Sequence, residues 1–144
     1  TGYRIILNWR KYTKGKIMKK SYLLFLLASF TVADPELYFI EPEDGEIYSE
    51  EVEVKFGLKD FGVAPAGYNI PNTGHHHLII NADLPDLSLP IPANENYVHF
   101  GLGQTETTLD LDPGTYTLRL LMGNYLHIPH QEPIYSKEIT ITVK

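Results

Sequence analysis

The six histidines are the strongest chemical signal in this sequence. They all lie between positions 75 and 130, and the chain contains no cysteine. Imidazole nitrogen is a good ligand for zinc and copper, and a donor set without thiolates favours Cu(II) or Zn(II). Imidazole must be neutral to bind a metal, and its reference pKa of about 6.5 leaves most of it neutral at pH 7. The composition therefore predicts a nitrogen-rich metal site.

The spacing of the histidines predicts which of them meet. Three are consecutive at positions 75–77, and on a strand the first and third of these would point to one face. A histidine pair in a later loop and a single histidine between them would complete the set around one ion. We expect the metal ligands to be His75, His77, His99, His127 and His130. We expect the supporting or binding residues around them to be His76, Gln104 and Glu106.

Two readings without a metal stay open for the same histidines. The cluster is also compatible with a polar pocket for a non-metal ligand, or with a structural network of hydrogen bonds. His76 alternates with Leu78 and Ile80, so it is a candidate for a core-facing residue with its own hydrogen bond.

Strands have to position these histidines, because no stretch after Ala33 shows a sustained helical period. Apolar residues instead alternate with polar ones at a period of two, which is typical of half-buried strands. The expected strands are 37–40, 51–58, 76–81, 105–111, 116–122 and 137–143. Segments 60–74, 84–96 and 123–133 read as long loops. About seven strands with such turns predict an all-β, antiparallel, immunoglobulin-like (Greek-key) β-sandwich.

One turn makes this fold prediction more specific. Asp112, Gly114 and Tyr116 have the spacing of a tyrosine corner, in which the Tyr hydroxyl bonds to backbone a few residues upstream. Leu118 then takes the place where antibody domains carry a cysteine. We expect Tyr116 to close the corner between two neighbouring strands.

The charges divide the chain into two parts. Residues 1–33 hold seven Lys or Arg and no acid, so residues 34–144 hold five basic and 18 acidic side chains, a formal net charge of −13. Nucleic acid needs a basic face, so the acidic part is a poor candidate for binding it. An acidic field instead attracts cations and keeps the domain dispersed.

Residues 18–33 are typical of a secretory signal peptide. Met18 is followed by two lysines, an apolar run and a small residue, Ala33. The run is shorter than the ~20 residues of a spanning helix, so we expect a signal-peptide helix, cleavage after Ala33 and no stable membrane span afterwards. Translation would begin at Met18, which makes residues 1–17 an upstream extension outside the natural protein and 34–144 a single domain.

Three segments carry a resemblance to a known family. They are 74–80 with the triple histidine, 99–106, and 113–130 with its final His-Ile-Pro-His. From residue 42 to 143 the chain resembles an uncharacterised bacterial family, domain of unknown function 4399. The resemblance implies a small exported protein of one domain with no settled activity. The motif positions that it carries over are His75, His76, His77, His99, Gln104, His127 and His130.

We expect a periplasmic protein that binds copper or zinc and acts as a buffer or carrier. Its partners would be the metal ion and an envelope protein, with no nucleic acid. Two other functions stay open: a non-catalytic interaction module of the cell envelope, and a mononuclear metalloenzyme with a three-histidine site. Glu106 is the one candidate for a general base, and a ligand cluster alone does not make a reaction. The sequence therefore argues more against an enzyme than for one.

Overall fold

The fold is all-β throughout the part of the chain that the computed structural model describes, residues 33–49 and 51–144. The expectations for residues 1–17, and for the signal peptide apart from Ala33, lie outside these residues. Nine strands follow in chain order. They are β1 (Glu36–Glu41), β2 (Ile47–Tyr48), β3 (Val52–Lys59), β4 (Gly62–Val63), β5 (Thr73–Ile80), β6 (Tyr97–His99), β7 (Glu106–Leu109), β8 (Gly114–Gly123) and β9 (Ile139–Val143).

The strands form two sheets, and the order of the strands is that of an immunoglobulin-like sandwich. The first sheet has three antiparallel strands in the order β1-β3-β7. The second has six strands in the order β2-β9-β8-β5-β4, with β6 paired to β5 as well. Its central pairs β5–β8 and β8–β9 are antiparallel, whereas β2 runs parallel to β9. The predicted all-β sandwich is confirmed, and residues 33–49 and 51–144 form nine strands rather than about seven.

The main core lies between the two sheets and is built by the period-two alternation that the sequence shows. Its buried residues include Val52, Val54 and Phe56 of β3, Leu78 and Ile80 of β5, Leu118, Leu120 and Met122 of β8, and Ile141 and Val143 of β9. Each of these apolar side chains adds about 1.5–3 kcal/mol when it is fully removed from water. The core therefore fixes the register of β5, which carries the triple histidine.

The tyrosine corner is confirmed. The Tyr116 hydroxyl donates a hydrogen bond to the backbone carbonyl of Asp112, with an O···O distance of 2.8 Å. Leu118, two residues further along β8, is fully buried in the main core. The corner anchors the start of β8, the strand that lies beside the triple histidine.

A second, smaller apolar cluster covers the outer face of the six-stranded sheet. Ile79, Ile91 and Leu121 are its buried members, and partly buried side chains from residues 82–97 pack against them. The long segment between β5 and β6 therefore folds back over the sheet, as a cover for residues of β5 that point away from the main core. This explains why both faces of β5 are buried near its C-terminal end.

Candidate functional site

Four histidine rings meet on the outer face of the six-stranded sheet. Two of them, His75 and His77, come from β5 and point away from the main core. His77 lies directly opposite His99 in the register of β5 and β6, so these two side chains share a face. His127 reaches the same place from the loop after β8. We call these four residues the histidine cluster.

The rings of the cluster are in mutual contact. Their centroids are 4.5 Å apart for His99 and His127, and 4.8 Å apart both for His75 and His77 and for His75 and His99. His77 stacks on His99 at 5.0 Å with an interplanar angle of 26°. One nitrogen from each of His75, His77 and His99 can be chosen so that all three lie within 4.8 Å of one another. Zn–N bonds of about 2.0–2.1 Å place tetrahedral nitrogens about 3.4 Å apart, so modest ring movements would close such a group on an ion.

Two glycines make room for these rings. A Cβ atom at Gly123 would lie 2.6 Å from Cε1 of His77, and one at Gly101 would clash with Cε1 of His99. Contacts this short are not tolerated without a shift of the ring. Gly123 faces His75 in the register of β5 and β8, so the absence of a side chain there leaves the space that the cluster occupies.

A tight turn presents the fourth ring. The side-chain oxygen of Asn124 accepts hydrogen bonds from the backbone amides of Leu126 at 2.8 Å and Ile128 at 3.2 Å. The His127 amide donates to the Asn124 carbonyl at 2.9 Å, and the Ile91 amide donates to the His127 carbonyl at 2.7 Å. His127 has φ of 63°, in the left-handed region that few non-glycine residues adopt. Such strained positions are often found at functional sites.

Burial keeps the inner rings neutral. His75 and His77 are fully buried, whereas His99 is exposed. Burial, reinforced by the charges that neighbouring histidines would carry, lowers the pKa of His75 to about 4 and that of His77 to about 3. Burial also lowers the pKa of His99, and His127 adds to this effect. Both nitrogens of His75 are buried without a hydrogen-bond partner, so they are free to bind a ligand.

His76 points into the main core. Its ring lies 5.0 Å from the ring of Phe56. Burial lowers its pKa to about 4. The expected split of the triple histidine between two faces is therefore observed, and a hydrogen bond with the backbone of Gln104 partly offsets the effect of burial on the pKa of His76.

His130 lies apart from the four contacting rings. It packs edge-on against Phe61 at 5.0 Å, and a Cβ atom at Gly74 would lie 2.9 Å from its Nε2. That nitrogen is also buried and unpartnered, and burial lowers the pKa of the ring. Of the five expected ligands, the structure brings four into one cluster and places the fifth beside the start of β5.

Within the described part of the chain, the side chains of the two other expected residues, Gln104 and Glu106, form no hydrogen bond with the histidine cluster. The side chain of Gln104 accepts a hydrogen bond from the Leu102 amide at 3.0 Å and so shapes the turn after β6. Glu106 is exposed on β7, opposite Lys55 of β3, in the other sheet. A carboxylate there is not placed to act as a base at the histidine cluster.

Sequence reasoning missed Asn124 and the space-making glycines. The Gly123–Asn124 pair is itself a turn signal, and it directly precedes the segment that carries His127. The alternation of side chains along β5 shows which histidines share a face. It does not show which residues on the neighbouring strands must be small to leave room for the histidine rings.

Comparison with known proteins identifies the family of this chain. Residues 54–144 match the family model described as "Domain of unknown function (DUF4399)". The chain belongs to this family. The resemblance seen in the sequence is thereby confirmed, and the DUF4399 match includes all four residues of the histidine cluster.

Other comparisons add little. No curated protein matches this chain. One solved structure, the endo-beta-1,4-mannanase from Thermotoga petrophila, is similar with 16% sequence identity and a TM-score of 0.47. The similarity covers 81% of this chain and 21% of the mannanase chain. No helix long and apolar enough to cross a bilayer is found in residues 33–49 and 51–144.

Proposed function

We propose that this protein binds one Cu(II) or Zn(II) ion at the histidine cluster and serves as a periplasmic metal buffer or carrier. The observation that carries the proposal is the convergence of His75, His77, His99 and His127 from three separate segments, with ring centroids 4.5–6.2 Å apart. Neutral imidazoles that meet in this way form a donor set suited to these two metals.

The surroundings of the cluster support the choice of metal. Met122, the one sulfur-containing residue after Ala33, packs in the main core on the opposite face of the sheet. The donors near the cluster are therefore nitrogens, which favour Cu(II) and Zn(II) over a thioether site for Cu(I). The net charge of −13 on residues 34–144 would raise the local concentration of cations.

The distribution of burial supports a route for the ion. His75 and His77 are fully buried, whereas His99 is exposed and His127 is half-buried. An ion would therefore meet His99 and His127 first and reach the two inner rings afterwards. Exchange of metal with other molecules would take place at the same side.

Isothermal titration tests the proposal on untagged protein in the form that cells accumulate. We expect one ion per chain, with a dissociation constant well below about 1 µM. His77→Ala and His99→Ala should each weaken binding at least about 10- to 100-fold, by analogy with losses seen when metal sites are perturbed. His130→Ala, outside the cluster, is the matched control and should leave the affinity within about twofold.

Two results would reject the proposal. One is the absence of binding tighter than about 1 µM for both metals. The other is an equal loss of affinity in His130→Ala and His77→Ala, which would show that the ligands are not the four residues of the histidine cluster. The periplasmic role is tested separately by fractionating cells and measuring the metal content of the protein recovered from each fraction.

A further inference from the structure

The histidine cluster has no negative charge beside it. In the part of the chain that the structure describes, every ion pair joins a carboxylate to Lys or Arg, and none includes a histidine. Burial is the main cause that lowers the pKa of His75, His77 and His99, and the charges that add to it are those of other histidines. A carboxylate beside these rings would act in the opposite direction. The cluster therefore offers a metal ion neutral donors alone.

The chain that carries the cluster is uncharged as well. Its four histidines lie in three segments without Asp, Glu, Lys or Arg: 61–82, 96–105 and 120–131. Backbone hydrogen bonds connect these segments. The Ala66 amide donates to the Gly101 carbonyl at 2.9 Å, and the Gly67 amide donates to the Tyr125 carbonyl at 3.0 Å. None of the three segments can therefore turn a carboxylate toward a bound ion.

A divalent ion held by neutral imidazoles would keep its double positive charge in surroundings that solvate charge poorly. His75 and His77 are fully buried. A Cβ atom at Gly123 would lie 3.3 Å from Cδ1 of Ile91, so an apolar side chain stands beside the rings. A bound metal ion is often the largest local charge in a protein, and a charge removed from water is costly unless it is paired. Such an ion is stabilised by a negatively charged ligand.

We propose that a metal ion at the histidine cluster takes one small anion from solution as an additional ligand, in the place that a carboxylate side chain takes in histidine–carboxylate sites. The ligand class is that of monovalent anions with a free electron pair, such as small carboxylates and azide. The inference rests on the proposed function, since the metal must bind first.

The arrangement of the rings leaves a side on which the anion can enter. His99 is exposed and His127 is half-buried, whereas the other two rings are fully buried. The rings of His77 and His127 are 6.2 Å apart, the widest separation in the cluster. The three histidines whose nitrogens approach within 4.8 Å of one another are His75, His77 and His99. An ion held mainly by these three keeps a position for an exogenous ligand on the side of His127.

Titration of the Cu(II)-loaded protein with sodium azide tests the proposal, once isothermal titration has shown that copper is bound. We expect a charge-transfer absorption band and a changed electron paramagnetic resonance spectrum. Both should saturate at one azide per copper, with a dissociation constant below about 10 mM. Sodium perchlorate at the same ionic strength is the control, because perchlorate coordinates metals weakly, and it should change neither spectrum.

A fixed carboxylate at the open side should compete with the anion from solution. Leu126 is 54% exposed and directly precedes His127, so Leu126→Glu adds a negative charge there without removing a ligand. This variant should bind azide at least about 10-fold more weakly. Ile40→Glu is the matched control, because Ile40 is also 54% exposed but lies on β1 in the other sheet. It should keep the azide affinity within about twofold. Circular dichroism checks that both variants keep the fold.

Three outcomes would overturn the inference and leave the proposed function intact. The first is bound copper whose spectra do not change up to about 100 mM azide. The second is release of copper during the titration, because azide would then remove the ion instead of joining its ligands. The third is an equal loss of azide affinity in Leu126→Glu and Ile40→Glu, which would show that the anion does not bind on the side of His127. A chain that binds no copper would reject the proposed function and this inference together.

Discussion

Acidification should destabilise the metal-free protein, because three of its histidines are buried in the neutral form. Burial lowers the pKa of His75 and His76 to about 4 and that of His77 to about 3. In the unfolded chain each would titrate near its ordinary value of about 6.5. Between these values the unfolded chain binds more protons than the folded one, so stability falls as the pH falls from about 6.5 toward 4.

The size of the effect follows from the gap between the two pKa values. A pH of 5 lies about 1.5 units below the pKa of a histidine in the unfolded chain, so that histidine is protonated there. The buried ring remains mostly neutral at this pH. This corresponds to about 2 kcal/mol per histidine and about 6 kcal/mol for the three together. The sum is an upper value, because a protonated ring can turn toward solvent. It is comparable with the whole stability of a small domain, about 5–15 kcal/mol.

Urea denaturation at pH 7, 6 and 5 in the presence of a chelator measures the effect. We expect the free energy of unfolding to drop by several kcal/mol between pH 7 and pH 5. His76→Leu provides a control, because it removes one buried imidazole from the main core and leaves the histidine cluster intact. In this variant the drop should be smaller by about 2 kcal/mol.

A free energy of unfolding that is the same at pH 7 and pH 5 would refute the reasoning, since neutral burial of three histidines requires a pH dependence. An unchanged drop in His76→Leu would show that His76 does not contribute to it. In that case the charge of the histidine cluster alone would carry the effect.

The remaining predictions concern the residues that shape the site. Gly123→Ala should displace His77, lower the melting temperature and weaken Cu(II) or Zn(II) binding about 10- to 100-fold. Gly114→Ala is the control, because its Cβ would make only contacts of 3.5 Å or longer, and it should change neither the melting temperature nor the affinity. For Gly123→Ala, a melting temperature and affinity like those of the wild type would contradict this. Asn124→Ala should weaken metal binding, because His127 would lose the turn that positions it. Asn124→Asp should keep the wild-type affinity, because a carboxylate also accepts the two amide hydrogen bonds. Equal losses of affinity in both variants would count against a positioning role for Asn124. Tyr116→Phe should lower the free energy of unfolding, measured by urea denaturation, by about 0.5–1.5 kcal/mol and leave the metal affinity unchanged. An unchanged free energy of unfolding would mean that the hydrogen bond of the tyrosine corner does not stabilise the fold.

The sequence predicted the longer strands well, because period-two alternation needs only four or more residues to be visible. It missed β2 and β4, which have two residues each and therefore no periodicity to read. The glycine turn at 101–104 indicated a strand before it, but β6 has only three residues, so its bounds could not be read from periodicity. The tyrosine corner was predictable because a turn with Pro and Gly at fixed offsets leaves a local signature.

The sequence also showed that His75 and His77 share a face, since this follows from strand geometry alone. It did not show that His127 and His130 point to different places, although the two lie only three positions apart in the sequence. The left-handed backbone at His127 and the hydrogen bonds of Asn124 turn the first ring toward the cluster, while the second packs on Phe61. Such directions depend on tertiary contacts, which spacing does not encode.

The parallel pairing of β2 with β9 has a consequence for how this chain becomes folded. Ile47 lies opposite Thr142 and Tyr48 opposite Val143, so a strand near the start of the domain pairs with its last strand. Contacts between such distant parts of a chain form slowly, because a long loop must close before they are made. The second sheet can be completed only after β9 has left the ribosome. Until then β2 and β8 lack the strand that pairs with both of them, a state that suits recognition by chaperones.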